Sequence, residues 1–315
     1  MRVNNALILS AGFGTRMGLI GSVLPKPIWP LFEKSLLESV VLQLKSLGIQ
    51  NFFVNLHHQS EQVREKLNLP KSLGINFIFE KDILGTGGSI SNVLNLLNKE
   101  EVLLTANADS LFLAGGDDIK RATEELDSCD SILFAVQSKK SFGHNELVLD
   151  KNKHLININK GAARSENFVT YSGMGLFKRD ANTKASGFQD LWTGIGNYRK
   201  KKIKVISVPE AEYYDFGTKE LYYNFVNSIV KDISINKQSS LLKLLTENKI
   251  IDISKLKGDG SYNSSYPGCI NFSGDHSRCE YVGIILAGSP IQKTEVGELG
   301  NISYYDLNEQ IHPPV

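Results

Sequence analysis

Two cations stand close to a glycine turn near the start of the chain. Residues 7–31 read LILSAGFGTRMGLIGSVLPKPIWPL, in which Gly12 and Gly14 follow an apolar run and precede Arg16 and Lys26. A glycine backbone can approach a ligand closely, and its exposed N–H groups can cradle phosphate oxygens. Arginine binds phosphate through paired hydrogen bonds, whereas lysine acts as a point charge. The combination is typical of a triphosphate site.

The glycine spacing excludes two common phosphate-binding motifs. The dinucleotide fingerprint requires a glycine where Met17 stands, and no Gly-Lys-Ser/Thr follows as in a Walker motif. A tight turn without a ligand would also explain the glycines taken alone. However, Pro25 and Pro27 fix the backbone on both sides of Lys26. That rigidity favours a cation held toward a ligand over a solvated lysine.

Two aspartates stand beside apolar segments far apart in the chain. Asp109 follows the run LLTANA, and Asp215 precedes a glycine turn in YYDFGTKELYYN. Each aspartate alone is typical of a turn or a helix cap. As a pair at the ends of separate elements, they could hold one Mg²⁺, which takes one or two protein carboxylates and completes its shell with phosphate and water.

A second glycine loop stands before a run with helical periodicity. The segment ILGTGGSISNVL contains Gly85, Thr86, Gly87 and Gly88. Two interpretations remain open from the residues alone: a helix N-terminus with flexible glycines, or a flat backbone ledge for a nucleobase or ribose.

The elements that must position these residues alternate between two periodicities. Short apolar runs typical of strands occur in ALILS, NFFVNL, INFIFE and EVLLTAN. Helical periodicity occurs in LLESVVLQLKSLG, SEQVREKL and GSISNVLNLL. This alternation predicts βαβ units and a mostly parallel sheet. Ligands bind such sheets at the carboxyl ends of the strands. The loops after Leu9 and Ala106 are therefore expected to carry the site.

The second half of the chain is richer in strand patterns. Strands are predicted for SILFAV, ELVLD, HLININ, YSGMGLF and IKVISV. One helix is expected over Phe188–Tyr198 and another over DFGTKELYYNFVNSIV. Polar KLKGDGSYNSSYPG marks a boundary. We therefore expect a domain at 1–230, a linker or helical segment at 231–258 and a small β-rich appendage at 259–315.

Composition narrows the function classes. The chain has 315 residues, and its 35 Lys+Arg against 34 Asp+Glu give a net charge of +1, so no global field favours nucleic acid or a membrane. The run at 199–204 is interpreted as a solvated helix end, and His57 and His58 as structural. Three cysteines are too few for a disulfide framework, and no apolar run reaches the ~18 residues of a membrane span. A cytoplasmic protein is expected.

These motifs occur together in a characteristic order over roughly residues 1–230, and they resemble the sugar-1-phosphate nucleotidyltransferase family. The signature G-x-G-T-R-(L/M) followed by P-K-P-x-x-P is matched by Gly12, Gly14, Thr15, Arg16, Met17, Pro25, Lys26, Pro27 and Pro30. LGTGGSI, NADS, YSGMGLF and DFGTKELY follow in order. The mannose-1-phosphate guanylyltransferase and N-acetylmuramate-1-phosphate uridylyltransferase branches look closest, and the heptose-1-phosphate guanylyltransferases are also near. The resemblance implies a doubly wound, mixed and mostly parallel α/β sheet of Rossmann-like type, with the small β-rich C-terminal appendage beside it.

The resemblance also implies a role for each residue. Arg16 would meet the β- and γ-phosphates, Lys26 the α-phosphate, and the two aspartates would bind Mg²⁺. The nucleotide-binding backbone would be that of Ala11, Gly12, Gly14, Thr15, Gly85, Thr86, Gly87 and Gly88. The sugar phosphate would be bound by Lys160 and the sugar by Asn145 and Tyr171.

The implied reaction joins an NTP, either GTP or UTP, to a sugar 1-phosphate. The sugar phosphate attacks the α-phosphorus in line and pyrophosphate leaves, which requires no protein nucleophile or base. Two departures from the family pattern stand out: Ala108 replaces a glycine, and Asn159 and Gly161 flank Lys160 where relatives carry Glu and Pro. The enzyme is the leading hypothesis, because Arg16, Lys26, Asp109 and Asp215 are all retained. Ala108 and Asn159 are the only features that support the alternative, a non-catalytic nucleotide-sugar-binding relative that regulates a partner. A homo-oligomer through the appendage is also expected.

Overall fold

A seven-stranded sheet forms the centre of the protein. The computed structural model describes residues 3–14, 16, 24–139, 143–161, 165–179, 187–208 and 213–256, and four short strands beyond them. The strands of the main domain are β1 (Asn5–Leu9), β2 (Pro30–Leu31), β3 (Lys34–Ser35), β4 (Asn51–Leu56), β5 (Gly74–Phe79), β6 (Val102–Asn107), β7 (Ser110–Phe112), β8 (Ser131–Lys139), β9 (Glu146–Leu149), β10 (Leu155–Asn159), β11 (Asn167–Lys178), β12 (Ile203–Ser207) and β13 (Tyr213–Asp215). The helices are α1 (Leu36–Ser46), α2 (Ser60–Lys66), α3 (Gly85–Leu96), α4 (Gly116–Glu125), α5 (Lys219–Ser234) and α6 (Ser240–Glu247).

The central sheet is mixed and mostly parallel. Its strand order is β12-β8-β11-β6-β1-β4-β5. Strands β5, β4, β1 and β6 run parallel to one another, and β12 is parallel to β8. Strand β11 is antiparallel to both of its neighbours, β6 and β8. The predicted fold class is confirmed.

Both faces of the sheet are covered, which is the doubly wound arrangement. Along β1 the side chains alternate, so Ala6 and Ile8 join one buried core while Leu7 joins the other. Helices α1, α4, α5 and α6 contribute to the first core, and α3 contributes to the second. The carboxyl ends of the parallel strands are therefore held at one edge by two packed layers.

Local signals explain where the first helix begins. Ser35 caps α1 by accepting a hydrogen bond from the backbone N–H of Glu38, and the Glu38 carboxylate accepts the N–H of Ser35 at 2.6 Å. This reciprocal capping box stabilises a helix start by about 1 kcal/mol. Helix α1 is consequently anchored directly after the short β2–β3 hairpin that follows Lys26.

The helix predicted over Phe188–Tyr198 is wrong, because this segment is a series of turns. The start of the segment bonds to the beginning of α3: the N–H of Gln189 donates to the carbonyl of Leu84 at 2.7 Å, and the carbonyl of Gln189 accepts from Gly87 at 2.9 Å and Gly88 at 3.2 Å. The bonds within the segment, such as that from the N–H of Gly194 to the carbonyl of Asp190 at 2.9 Å, form turns. Pairing with another element competes with the intrahelical bonds that the apolar spacing suggested.

The expected linker at 231–258 is helical, but it does not separate two units. Helix α5 continues across the expected boundary at residue 230 and ends at Ser234. In α6, the side chains of Leu241, Leu242 and Leu245 are buried in the main core. Lys255 also bonds to Glu33 at 2.7 Å. The main domain therefore extends to about residue 256, because the apolar face of α6 is buried against it.

The β-rich appendage is a separate small sheet. Strands β14 (Gly268–Asn271), β15 (Ile284–Ile285), β16 (Ser303–Asp306) and β17 (Gln310–Ile311) lie in the order β15-β14-β16-β17, and β14 contacts β2. Over the described residues, no helix is both long and apolar enough to cross a membrane.

A bulge in β11 gives a first testable prediction. The register with β8 shifts between Tyr171 and Gly175, and Gly173 has a φ of +85°. A Cβ on Gly173 would overlap the Nδ2 atom of Asn107 and lie 2.8 Å from its Cγ. We expect Gly173→Ala to lower the free energy of unfolding by about 2 kcal/mol more than Gly48→Ala.

The control isolates backbone strain from the clash. Gly48 has a φ of +92°, but a Cβ there would meet nothing within 4 Å. Urea unfolding of both variants measures the difference. Equal losses of stability would show that Asn107 moves away freely and that the bulge does not hold it.

Candidate active site

A cleft of about 380 Å³ opens at the carboxyl ends of β1 and β6. It lies at the sheet edge where parallel strands place ligands. Its lining comprises Leu9, Ser10, Gly12, Phe13, Gly14, Arg16, Lys26, Pro27, Asn107, Ala108, Asp109 and Gly217. The cleft thus brings together the glycine turn, both cations and Asp109, one of the two aspartates selected from the sequence.

Lys26 is a buried cation held by a carboxylate. It begins a short 3₁₀ turn, Lys26–Ile28, after Pro25, and it is only 7% exposed. Its Nζ donates to Oδ2 of Asp109 at 2.6 Å. Burial lowers the pKa of Lys26 below its ordinary value, although the charges of Asp109 and Asp215 act in the opposite direction. A buried ammonium of this kind is stable only next to an anion.

Strand pairing brings the second aspartate to the same place. Strands β7 and β13 are antiparallel, with Asp215 opposite Ser110, and the N–H of Phe216 donates to the carbonyl of Asp109 at 2.9 Å. Asp109 directly precedes β7 and Asp215 ends β13. Two carboxylates that are 106 positions apart in the chain thereby become neighbours.

The Asp215 carboxylate is kept ionised by its surroundings. Burial alone would raise its pKa, but the nearby His144 imidazole, the N–H of Gly217 and the charge of Lys26 outweigh burial, so the pKa of Asp215 is lowered. The Gly217 N–H donates to Oδ1 at 2.6 Å, and Nε2 of His144 lies 3.9 Å from Oδ2. At neutral pH the site therefore presents a carboxylate.

His144 is a residue that the sequence analysis missed. Its Nδ1 lies 2.8 Å from the hydroxyl of Ser138, which orients the ring toward Asp215. The residue stands between strands β8 and β9 with no motif around it, so only the three-dimensional pairing identifies it.

The two aspartates satisfy the requirements for binding Mg²⁺. They supply carboxylate oxygens, the donors this ion prefers. Asp109 lines the cleft, and the pairing of β7 with β13 places Asp215 next to it. In the portion of the chain that the structure describes, no group of three or more His, Cys, Asp or Glu could hold a metal. Two carboxylates with phosphate and water complete a magnesium shell, so the donor set suits Mg²⁺ bound together with a nucleotide.

The phosphate loop, Ser10–Gly14, leaves space in front of its glycines. A Cβ on Gly12 or Gly14 would meet nothing within 4 Å, and Gly14 has a φ of +64° that favours glycine. Arg16 reaches across the cleft, since its Nη1 would lie 3.2 Å from a Cβ on Gly217. Ala11 is half-buried and does not line the cleft. Thr15 lies outside the described residues.

The second glycine loop contacts the chain itself. A Cβ on Gly85 would lie 2.7 Å from the carbonyl oxygen of Gln189, and one on Gly87 would lie 2.6 Å from that of Asp190. The absence of a side chain at these glycines therefore lets the backbone of residues 189–190 pack directly against them. The N–H groups of Gly87 and Gly88 are already bonded to the carbonyl of Gln189. The loop does not line the cleft described above, and the nucleotide-binding role of Gly85, Thr86, Gly87 and Gly88 stays a prediction.

The three predicted sugar-binding residues also lie outside the lining of this cleft. Lys160 is exposed directly after β10, and Asn145 is exposed with its Oδ1 accepting the N–H of Gly161 at 3.1 Å. Tyr171 packs edge-on against Trp192 with ring centroids 5.8 Å apart, and burial raises the pKa of its hydroxyl. Their sugar-binding roles stay predictions.

Aromatic packing gives a structural role to the histidines after β4. Phe13, at the tip of the phosphate loop, is 52% exposed and packs against the rings of His57 at 5.3 Å and His58 at 5.9 Å. The ring Nδ1 of His57 also lies 2.8 Å from the carbonyl of Glu80. These contacts support the phosphate loop from the side opposite the aspartates.

Comparison with known proteins identifies the family. The model of the MobA-like NTP transferase domain matches residues 6–162, which includes the phosphate loop, Lys26 and Asp109. The chain is 26% identical to a D-glycero-α-D-manno-heptose 1-phosphate guanylyltransferase of Campylobacter jejuni over 228 residues, covering 70% of this chain and 98% of that protein. It is 25% identical to the enzyme of the same name from Aneurinibacillus thermoaerophilus, covering 69% of this chain and 94% of that protein.

A solved structure shares the fold. The crystal structure of HddC from Yersinia pseudotuberculosis superimposes with a TM-score of 0.63 at 20% identity, covering 72% of this chain and all of that one. The glycine turn, the buried lysine and the paired carboxylates occupy the expected edge of this fold. The chain therefore belongs to the sugar-1-phosphate nucleotidyltransferase family of enzymes.

Proposed function

We propose that this enzyme transfers a guanylyl group from GTP to a heptose or mannose 1-phosphate in a Mg²⁺-dependent reaction that releases pyrophosphate. The observation that carries the proposal is the buried Lys26, held between the phosphate loop and the two neighbouring aspartates. The choice of base and sugar is supported by the two guanylyltransferases that the chain matches along 98% and 94% of their length. UTP with N-acetylmuramate 1-phosphate is the nearest alternative pair.

The chemistry follows from the charges in the cleft. A sugar-phosphate oxygen is largely ionised at pH 7, because its second pKa is about 6, and it forms the new bond to the α-phosphorus. The bond from that phosphorus to the β-phosphate bridge breaks, and pyrophosphate leaves with the electron pair. The protein needs no base, so its task is to position the reactants and to neutralise negative charge.

Each cation has its own part of the triphosphate in this proposal. Lys26, fixed and buried, stabilises charge that grows at the α-phosphate, whereas Arg16, whose Nη1 lies near Gly217, binds the outer phosphates. When Mg²⁺ is bound by Asp109 and Asp215, it supplies a divalent charge at the phosphates. A non-catalytic regulatory relative is disfavoured, because the chain matches two guanylyltransferases along nearly their whole length and keeps Arg16, Lys26 and both aspartates.

The test is a pyrophosphate-release assay with four NTPs, each combined with heptose, mannose or N-acetylmuramate 1-phosphate. We expect GTP with the heptose or mannose phosphate to give the highest kcat/KM, and excess EDTA to remove the activity. Turnover that persists in EDTA would contradict the magnesium assignment. Preference for UTP would replace the guanylyl assignment by the uridylyl one.

The appendage supports a separate prediction. All residues that line the cleft precede residue 218, and β14 of the appendage contacts the small strand β2 of the main domain. We expect a chain that ends at Leu256 to keep its turnover per molecule while losing some thermal stability. Size-exclusion chromatography with light scattering tests whether the appendage also holds a homo-oligomer together. If it does, the shortened chain will have a smaller number of subunits per particle than the full chain. A folded but inactive shortened chain would contradict this assignment.

A further inference from the structure

Three polar side chains form a buried cluster beneath the two glycine loops. Asn55, Glu80 and Ser89 are 3%, 6% and 2% exposed. The amide nitrogen of Asn55 donates to Oε1 of Glu80 at 2.9 Å and to the hydroxyl of Ser89 at 3.1 Å. That hydroxyl also lies 2.6 Å from the same carboxylate oxygen. Every member of the cluster thus contacts both of the others.

The cluster bonds to the backbone of both loops. Oδ1 of Asn55 accepts a hydrogen bond at 2.7 Å from the N–H of Ser10, the first residue of the phosphate loop. Oε2 of Glu80 accepts the N–H of Leu84, which directly precedes Gly85 and α3, at 3.0 Å. A continuous path of hydrogen bonds therefore runs from the first glycine loop to the second through side chains alone.

The chemistry of the groups fixes the direction of every bond in this path. A carboxylate only accepts hydrogen bonds, so the Asn55 amide must turn its nitrogen toward Glu80 and its oxygen toward Ser10. A buried carboxylate is costly unless its oxygens are satisfied, and here three donors satisfy them. An apolar side chain in place of Glu80 would leave these three donors unsatisfied, one of them the backbone N–H of Leu84, which indicates that the carboxylate has a positioning role.

We propose that Asn55, Glu80 and Ser89 are positioning residues that fix the phosphate loop relative to the second glycine loop, Leu84–Gly88. The two loops then bind the phosphates and the nucleoside end of one nucleotide in register. The identity of that nucleotide rests on the proposed function, but the coupling of the loops does not. Effective binding of one ligand by two loops requires that neither loop be reordered when the ligand arrives.

Glu80→Gln is the diagnostic variant. Glutamine has nearly the shape of glutamate, but whichever way its amide is turned, an NH₂ group faces either the Asn55 nitrogen or the Leu84 N–H. One bond of the path must therefore break without a cavity being made. Glu101→Gln is a matched control, because Oε1 of Glu101 accepts from Asn5 at 3.0 Å and Oε2 accepts the N–H of Asn98 at 2.8 Å. Asn5 starts β1 at the end opposite the phosphate loop.

Two measurements test the proposal: hydrogen exchange of the Ser10 and Leu84 amides without nucleotide, and the Kd for GTP in the presence of MgCl2. We expect Glu80→Gln to speed exchange by about tenfold at the amide on the side of the broken bond, and by a smaller factor at the other amide, because the bond that remains loses its charge. The Kd should rise by about tenfold, with the control within about twofold of the wild type. Faster exchange at Ser10 is decisive, since Glu80 does not touch that residue.

The outcomes separate this inference from the proposed function. If wild-type protein fails to bind GTP, the exchange measurement still decides whether the loops are coupled. Folded Glu80→Gln with unchanged Ser10 exchange would overturn the proposal, and so would equal effects in Glu101→Gln, which would indicate a general loss of stability. Should Glu80→Gln not fold, Ser89→Ala removes one donor to the carboxylate and is expected to change the same amides in the same direction.

Discussion

Replacing Lys26 by methionine is expected to lower kcat about a thousandfold while the KM for the nucleotide rises by less than about tenfold. Methionine keeps the length and apolar stem of the side chain but removes the ammonium. Lys26 is 7% exposed and bonds to Asp109 at 2.6 Å, so its charge acts in a region where water screens it little. A charge that opposes the negative charge developing at the α-phosphate contributes mainly to the transition state.

Steady-state kinetics of pyrophosphate release measure both constants for this variant. The matched control is Lys45→Met, because Lys45 is exposed on α1 and has no part in the cleft. It is expected to keep wild-type constants. If Lys26→Met kept kcat and raised only KM, the lysine would bind the ground state and the transition state equally, and its proposed role at the α-phosphate would be wrong.

Local periodicity was sufficient to predict the fold because the strands of a doubly wound sheet are short apolar runs. ALILS and NFFVNL lie next to each other in parallel as β1 and β4, and the helical run between them is α1. The same reasoning failed at Phe188–Tyr198, where the apolar residues have helical spacing but the backbone of Gln189 bonds to Leu84 and Gly87 and the rest of the segment forms turns. Periodicity reports which side chains are buried, and it does not report which backbone partner competes for the hydrogen bonds.

The candidate site was predictable to the extent that its residues lie in short motifs. The glycine turn and Lys26 stand within one stretch of chain, and the cleft contains both. His144 and Glu80 could not be selected in this way, because their significance depends on partners 71 and 25 positions away, Asp215 and Asn55. Buried polar networks are specified by long-range packing, so a pattern of nearby residues does not reveal them.

Position in the fold also decides which motif residues reach the cleft. Asn145 and Lys160 stand beside the β9–β10 hairpin, a two-stranded sheet outside the central one. Neither lines the cleft in the described part of the chain, although Asp109 and Gly217 do. A motif predicts the type of contact a residue makes, whereas its distance from the cleft depends on the whole topology.

The largest loss of activity is expected from Asp109→Asn and Asp215→Asn, each of which should reduce turnover by at least about a thousandfold with little loss of fold. Asparagine keeps the shape of the side chain and removes the charge that is proposed to bind Mg²⁺. In Asp109→Asn the amide oxygen can still accept the Lys26 Nζ, and in Asp215→Asn it can still accept the Gly217 N–H. Folding is therefore disturbed less than metal binding.

The experiment compares turnover over a range of Mg²⁺ concentrations with thermal unfolding of the same samples. Asp117→Asn is the control, because Asp117 is exposed on α4 and does not line the cleft. Near-normal turnover of either cleft variant at saturating Mg²⁺ would remove that aspartate from the proposed metal site. The two variants should also differ: only Asp109→Asn takes the direct anionic partner from a buried ammonium, so it should lower the unfolding temperature more than Asp215→Asn does. Such a difference, with both enzymes inactive, would assign a second, structural role to Asp109 as the counter-ion of Lys26.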